Sequence, residues 1–251
     1  MRGVILAGGT GSRLAPLTEA VNKHMLPVGD RPMIQHSIEK LVEAGITDII
    51  VVTGGEHLGG IAEFLGGGAR FRCDITYRVQ ESAGGIAEAL LLCETFMCGT
   101  EDFVVILGDN VFEESIAKWS ARFATHRAVS RKMSAKVMLK GVCDPERFGV
   151  PTFDSRGDIS CITEKPSDPH SNYAITGIYF YGPEVFDIIR GLTRSDRGEL
   201  EITDVNNAYI HNPDAVLVHE EMKGWWTDAG THDSYQHANE LVRRTNATKN
   251  S

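Results

Sequence analysis

Short apolar runs alternate with amphipathic helical patterns through the first half of this chain, and that alternation leaves few folds open. "GVILAG" is followed by "PMIQHSIEKLVEAG", then "DIIVVTG", "EHLGGIAEFLGGG", "DITYRVQ", "GGIAEALLLCETF" and "DFVVILGDN". Buried strands separated by helices of ten to fifteen residues are the signature of βαβ units, whose crossovers make a mostly parallel sheet. From about residue 134 the rhythm changes to "SAKVMLKGV", "FGVPTFDSRGDISCITEKP" and "NYAITGIYFYG", strands joined by turn signals, which predicts an antiparallel or mixed extension of the same sheet. Helical patterns return at "PEVFDIIRGL", "ITDVNNAYIHN" and "HDSYQHANELVRRT", opened by proline or by a capping residue such as Thr203 or Thr231. The expected fold class is α/β and Rossmann-like, a mixed central sheet flanked by helices. No linker or repeat divides the 251 residues, so a single domain is expected.

Composition narrows the possible partners. With 34 acidic against 25 basic residues the net charge is −9, which disfavours sequence-independent binding to nucleic acid or to an anionic membrane. Any anionic ligand must therefore be held by local cations. Cys73, Cys93, Cys98, Cys143 and Cys161 are scattered without a CxxC pair, so neither a disulfide framework nor a zinc site is expected. The nine histidines show no metal-binding spacing. No apolar stretch approaches a membrane span and the N-terminus lacks a signal-peptide cleavage end, which leads to the expectation of a cytoplasmic protein.

The segment "GGTGSR" after the first strand admits three explanations. A dinucleotide fingerprint needs a third glycine and a helix directly behind it, but Leu14 stands at that position and Pro16 and Pro27 bracket a stretch without helical period. A Walker A loop would end in Gly-Lys-Ser/Thr, which is absent. What remains is either a glycine-rich loop that holds an anion through backbone N–H groups and the cations Arg13 and Lys23, or a tight turn carrying two solvated charges. Asp109 follows the apolar run "FVVIL" and a glycine, at the carboxyl end of a strand where open α/β sheets bind ligands. Asp-Asn there is also an ordinary turn pair.

The stretch "LAGGTGSRLAPLTEAVNKHMLPVGDRPMI" resembles the N-terminal signature of the sugar-1-phosphate nucleotidylyltransferases. "GDN" at 108, "EKP" at 164, "SNYAITGIYFY" at 171, "RGELEITD" at 197 and "WWTDAGT" at 225 extend the resemblance over nearly the whole chain. Within that superfamily these segments are most similar to glucose-1-phosphate thymidylyltransferases. The resemblance implies a nucleotide-binding part at about 1–111, a sugar-binding part at about 112–225, and the substrates dTTP and glucose 1-phosphate. It places Gly8, Gly9, Gly11, Ser12, Arg13, Gln80, Gly85 and Asp109 around the nucleotide, with Arg13, Lys23 and Asp109 catalytic. It places Asn110, Gly149, Glu164, Lys165, Tyr179 and Arg197 at the sugar phosphate, and implies Mg²⁺ held by Asp109 and Asp228. Trp225 and Trp226 are expected to pack beneath Asp228. "QESAGGIAEA" departs from the family pattern, with Ala83 and Gly84 where many relatives carry Pro-Asp.

That chemistry fits the residues. A phosphate monoester is mostly dianionic at neutral pH, so attack on the α-phosphorus of a nucleoside triphosphate needs positioning and charge neutralisation more than a general base. Carboxylates for a divalent ion and several cations are required, and the chain offers both. A uridylyltransferase and a catalytically silent sugar-nucleotide sensor are the competing readings, and a nicotinamide oxidoreductase would need the missing GxGxxG turn. The family resemblance also implies a homo-oligomer, dimer or tetramer. Because the chain stops before the C-terminal helices of many thymidylyltransferases, a second, regulatory nucleotide site is expected to be reduced.

Overall fold

The computed structural model describes residues 1–97, 101–130 and 132–249. The first third of the chain forms β1 (Arg2–Ala7), β2 (Pro27–Val28), β3 (Arg31–Pro32), α1 (Met33–Glu43), β4 (Asp48–Gly54), α2 (Leu58–Leu65), β5 (Asp74–Gln80) and α3 (Ile86–Leu91). The middle forms β6 (Phe103–Leu107), β7 (Asn110–Phe112), α4 (Ala117–Val129), β8 (Met133–Gly141), β9 (Gly149–Phe153), β10 (Ile159–Glu164) and β11 (Tyr173–Tyr181). The remainder forms α5 (Val185–Arg190), α6 (Ile202–His211), β12 (Ala215–Glu221), β13 (Trp226–Asp228) and α7 (His232–Lys249). Two compact units emerge, and they interleave along the sequence. The first is Arg2–Ala83, Ile106–Ala117 and the stretch from Gly224 onward; the second is Gly84–Val105 and Lys118–Lys223.

In the first unit β1, β4 and β5 run parallel, with Val4 opposite Ile50 and Ile50 opposite Thr76. Val4 to Ala7 are all buried, as a parallel strand covered on both faces requires. The crossover α1 starts behind Pro32 and buries Met33, Ile34, Ser37, Ile38 and Leu41, one stripe at helical spacing. Its end is closed by Gly45 N–H donating to Val42 O and Ile46 N–H to Leu41 O. Gly108 N–H donates to Leu6 O at 2.9 Å, so the chain leaving β6 delivers Asp109 next to the carboxyl end of β1. β7 and β13 then pair antiparallel, which sets Asn110 opposite Asp228. Val28, Met33, Val111, Ala229, Ala238 and Val242 form a core beneath that pair, with Trp225 and Tyr235 packed against it. Val28, Met33 and Val111, buried to 1% exposure or less, each contribute about 1.5–3 kcal/mol. Thr231 caps α7 by accepting the Ser234 N–H at 3.3 Å, as its position predicts.

In the second unit β8 pairs antiparallel with β11 and parallel with β12. β9 and β10 form a hairpin around the "SRGD" turn, where Asp154 Oδ1 accepts the Arg156 and Asp158 N–H groups at 2.8 and 3.0 Å. Phe103, Tyr181, Tyr209 and Phe186 fill its core, with Phe103 stacked on Phe186 at 5.6 Å and Tyr181 on Tyr209 at 6.0 Å. Parallel and antiparallel strands with flanking helices are the mixed α/β architecture expected. Three details correct the sequence reading. α4 and β12 were not anticipated. α6 begins at Ile202 rather than behind Thr203, whose hydroxyl donates to Glu164 instead of capping a helix.

Candidate functional site

In the first unit the residues singled out around the glycine-rich loop converge on one place. The loop leaves β1, turns at Gly11 and is anchored by Leu14, which is fully buried. Gly11 has φ 72°, and a Cβ there would lie 2.9 Å from both Lys23 Cβ and Thr18 Cγ2. A Cβ on Gly9 would lie 3.1 Å from Lys23 Cε, and one on Gly8 would lie 2.9 Å from Gln80 Oε1. Gly9 and Gly11 thus make room for the stem of Lys23, and Gly8 makes room for Gln80. Ser12 and Arg13 stand exposed on the rim.

Lys23 is buried, and its Nζ donates to Asp109 Oδ2 at 2.5 Å. Burial by itself would raise the Asp109 carboxyl, but the adjacent Lys23 ammonium outweighs it and holds Asp109 well below the usual carboxylate range. Asp109 is therefore an anion at any physiological pH. Asn110 Nδ2 donates to Asp109 Oδ1 at 3.0 Å, while Asn110 Oδ1 accepts the Trp226 indole N–H at 2.7 Å. Asn110 is 2% exposed, its side-chain amide engaged by Asp109 and Trp226 rather than open to solvent. It orients the Asp109 carboxylate. Trp226 packs as core behind it, and Trp225 is tied to α7 through Nε1 to Thr245 Oγ1 at 2.9 Å.

Asp228 lies in a strand, opposite Asn110, and Asp109 O accepts the Ala229 N–H at 2.7 Å. A Cβ built on Gly230 would lie 3.2 Å from Asp228 Oδ2, 3.4 Å from Arg13 Nη2 and 3.7 Å from Asp109 Oδ2. One point in space is thus shared by both carboxylates and the Arg13 guanidinium. Two hard oxygen donors on one space suit a small divalent cation that takes its other ligands from water and substrate phosphates. Among the described residues no cluster of three or more His, Cys, Asp or Glu forms a complete protein cage.

Sequence reasoning missed His24 and Asn22. His24 is 1% exposed, and a Cβ on Gly108 would lie 2.8 Å from its Cδ2 and 3.2 Å from its Nε2, so the imidazole packs directly against the residue preceding Asp109. Asn22 Oδ1 accepts the His24 backbone N–H at 2.8 Å and faces Nδ1 at 2.7 Å, which assigns the ring hydrogen to Nδ1. Burial, with Lys23 beside it, pushes the His24 pKa down to about 3, so the ring is neutral. No spacing rule flags such a residue. Only the run "NKH" beside a singled-out lysine hints at it.

The second unit gathers most of the residues expected at a sugar phosphate. Glu164 ends β10 opposite Gly149; its Oε2 accepts the Thr203 hydroxyl at 2.6 Å and its Oε1 lies 3.1 Å from Lys165 Nζ. A Cβ on Gly149 would come within 3.3 Å of Thr203 Oγ1 and 3.6 Å of Glu164 Oε2. Lys165 has φ 44°, a strained conformation for a residue with a side chain. Arg197 Nη2 lies 2.9 Å from Glu201, 3.5 Å from Glu164 and 3.9 Å from Glu199. Asn207 of α6 brackets the β10 backbone, its Oδ1 accepting the Ile162 N–H at 2.9 Å and its Nδ2 donating to Ile162 O at 2.8 Å. Tyr179, expected to line the pocket, is buried and stacked on Tyr181 at 6.0 Å, a packing position. Gly85 lies in the second unit, at the start of α3. Cys73, Cys93, Cys143 and Cys161 are unbridged, and Cys98 lies outside the described residues. Among the described residues no helix is long and apolar enough to cross a membrane.

Comparison with known proteins assigns the chain to a family. Residues 2–245 match the nucleotidyl transferase family. Glucose-1-phosphate thymidylyltransferase of Xanthomonas campestris is 41% identical over 244 residues, which cover 96% of this chain and 80% of that protein. The Mycobacterium tuberculosis enzyme of the same name is 38% identical over 245 residues, 97% of this chain and 82% of the relative. A crystal structure of a Bacillus anthracis protein assigned as a glucose-1-phosphate thymidylyltransferase, solved with sucrose, superposes with a TM-score of 0.89 at 53% identity. It covers 97% of this chain and 95% of that one. A UDP-glucose pyrophosphorylase solved with UDP-glucose shares the fold at TM-score 0.83 and 24% identity, over 97% and 98% of the two chains. The chain belongs to the nucleotidyl transferase family.

Proposed function

We propose that the chain transfers a thymidylyl group from dTTP to glucose 1-phosphate, releasing pyrophosphate and dTDP-glucose, with Mg²⁺ as cofactor. The observation that carries this reading is the convergence of Arg13, Asp109 and Asp228 on Gly230, with Lys23 held against Asp109. Relatives named for this reaction and matching nearly the whole chain support the choice of substrates.

The first unit's residues act on the triphosphate. Arg13, exposed at the rim, presents a planar fork to phosphate oxygens, and Lys23 turns from Asp109 towards the polyphosphate when the nucleotide arrives. Asp109 and Asp228 would hold Mg²⁺, which supplies charge neutralisation of the phosphates. Asn110 keeps the Asp109 carboxylate in place, and the neutral His24 adds no charge beside it. In the second unit Glu164, locked by Thr203, accepts from sugar hydroxyls. Lys165 and Arg197 take the sugar phosphate in exchange for their carboxylate partners. The attacking phosphate oxygen needs no base, so these residues work by holding and neutralising the sugar phosphate.

A pyrophosphate-release assay with dTTP, UTP and GTP against glucose 1-phosphate and mannose 1-phosphate tests the reading. The highest kcat/KM is expected for dTTP with glucose 1-phosphate. Preference for UTP would reassign the base, and no release with any pair would overturn the catalytic reading.

A further inference from the structure

The turn at Gly84 and Gly85 sets two glycines side by side, and two adjacent glycines cost conformational entropy to hold in one shape. The second unit supplies the holder. Gly85 has φ 98°, and a Cβ there would lie 2.4 Å from Leu200 O and 2.8 Å from Leu200 N, so the two backbones run in direct contact. Leu200 N–H donates to Gly84 O at 2.8 Å, and Ala87 N–H donates to Leu200 O at 3.1 Å. Across this seam lies Arg194. Its Nη1 donates to Gly198 O at 2.8 Å and to Gly84 O at 3.4 Å, and its Nη2 donates to Glu88 Oε1 at 2.5 Å. One guanidinium thus binds both segments. With Arg194 49% and Glu88 21% exposed, the ion pair alone would do little. The added bonds to carbonyls on either side make it a staple, because a planar fork fixes the angle between the groups it joins.

The stapled loop from Arg194 to Glu201 is itself closed by Ser195 N–H to Glu199 O at 2.9 Å and Gly198 N–H to Ser195 O at 2.8 Å, and it carries Arg197. We infer that Arg194 is a positioning residue that makes the turn at Gly84–Glu88 and the loop at Ser195–Leu200 one mechanical piece, so that a phosphate held by Arg197 orders the turn. The inference rests on the proposed function, which sets the sugar phosphate at Arg197, and on the family resemblance, which implies the nucleotide at Gly85. Its consequence is substrate synergy carried by the protein itself: the first ligand lowers the ordering cost of the second.

Hydrogen–deuterium exchange on the full chain, with glucose 1-phosphate as the sole ligand so that no turnover occurs, tests it. In the wild type the ligand is expected to slow exchange at both 195–203 and 84–92. In Arg194→Ala the protection of 195–203 persists while that of 84–92 falls by about threefold or more, the size of a lost charge-assisted contact. Arg194→Lys restores part of it. In turnover, Arg194→Ala raises the KM for dTTP while kcat stays near wild type, a split that general loss of structure would not give. Equal protection of 84–92 in wild type and Arg194→Ala, or protection of 195–203 alone in the wild type, would overturn the inference and leave the proposed function standing. No protection of either segment in the wild type would remove the sugar phosphate from Arg197 and overturn both.

Discussion

His24 shows how one side chain can shape a site without touching a ligand. With a folded pKa of about 3 against 6.5 unfolded, the unfolded chain binds a proton between those values that the folded chain does not. Stability contributed by the neutral ring is therefore complete above pH 6.5 and declines as pH falls towards 3. At about 1.4 kcal/mol per pKa unit, the loss at pH 5 relative to pH 7 is roughly 2 kcal/mol. His24→Gln keeps a neutral polar group, and its denaturant midpoint is expected to change less than the wild type's between pH 7 and 5 in metal-free buffer. Parallel pH profiles would show that His24 does not titrate as its burial requires. Gly230 makes the opposite case, a residue defined by the space it leaves. Gly230→Ala puts a methyl within 3.7 Å of Asp109, Asp228 and Arg13 together. It is expected to lower kcat by at least about tenfold through misplaced phosphates, with a thermal midpoint close to wild type. Unchanged turnover would mean that the ligand does not occupy that point.

At the scale of elements, what could be read in the sequence was what spacing or chemistry fixes. Arg13, Lys23, Asp109 and Asp228 could be singled out because the family signature names them, β1 and β4 because they are short apolar runs, buried almost throughout, and α1 because its buried stripe falls at helical spacing. α4 buries only Trp119 and Phe123, one turn apart, so its helical period is nearly silent. β12 is an edge strand ending in charged residues, and its partner β8 lies about eighty residues earlier, a pairing no local pattern reports. The role of α6 was hidden for the same reason. Its side chains reach Glu164 through Thr203, Tyr181 through Asn206 and the Ile162 backbone through Asn207, three long-range contacts from one helix. Among the described residues β10 pairs with β9 alone, and Asn207 satisfies the other edge of Ile162 as a third strand would. Asn207→Ala is expected to cost about 1–3 kcal/mol by leaving that edge unpaired. It should also raise the KM for glucose 1-phosphate while the KM for dTTP holds, because Glu164 lies two residues beyond the clamp. A rise in both constants, or in neither, would show that α6 does not set the Glu164 position.

For the whole molecule, the site residues divide between two units that each draw on segments far apart in sequence, which a reading by position could not foresee. The net charge of −9 sets a further condition, since two polyanionic substrates must enter an acidic protein. Local cations, and on the proposed reading Mg²⁺, have to meet that cost, so under that reading ligand and metal should be linked in the stability of the intact chain. At 100 times its Kd a ligand that binds only the folded state adds about 2.7 kcal/mol, which for a chain of this size moves the thermal midpoint by several degrees. Mg²⁺ with dTTP is expected to give a rise of that order, and EDTA should remove most of it while leaving the ligand-free midpoint unchanged. Asp109→Asn and Asp228→Asn should each abolish the metal-dependent increment. Glu164→Gln should retain it and lose only the increment produced by glucose 1-phosphate, because that carboxylate serves the other substrate. A metal-dependent rise that survives in both aspartate variants would place the ion elsewhere, and one that vanishes with Glu164 would mean that the two clusters do not bind separate substrates.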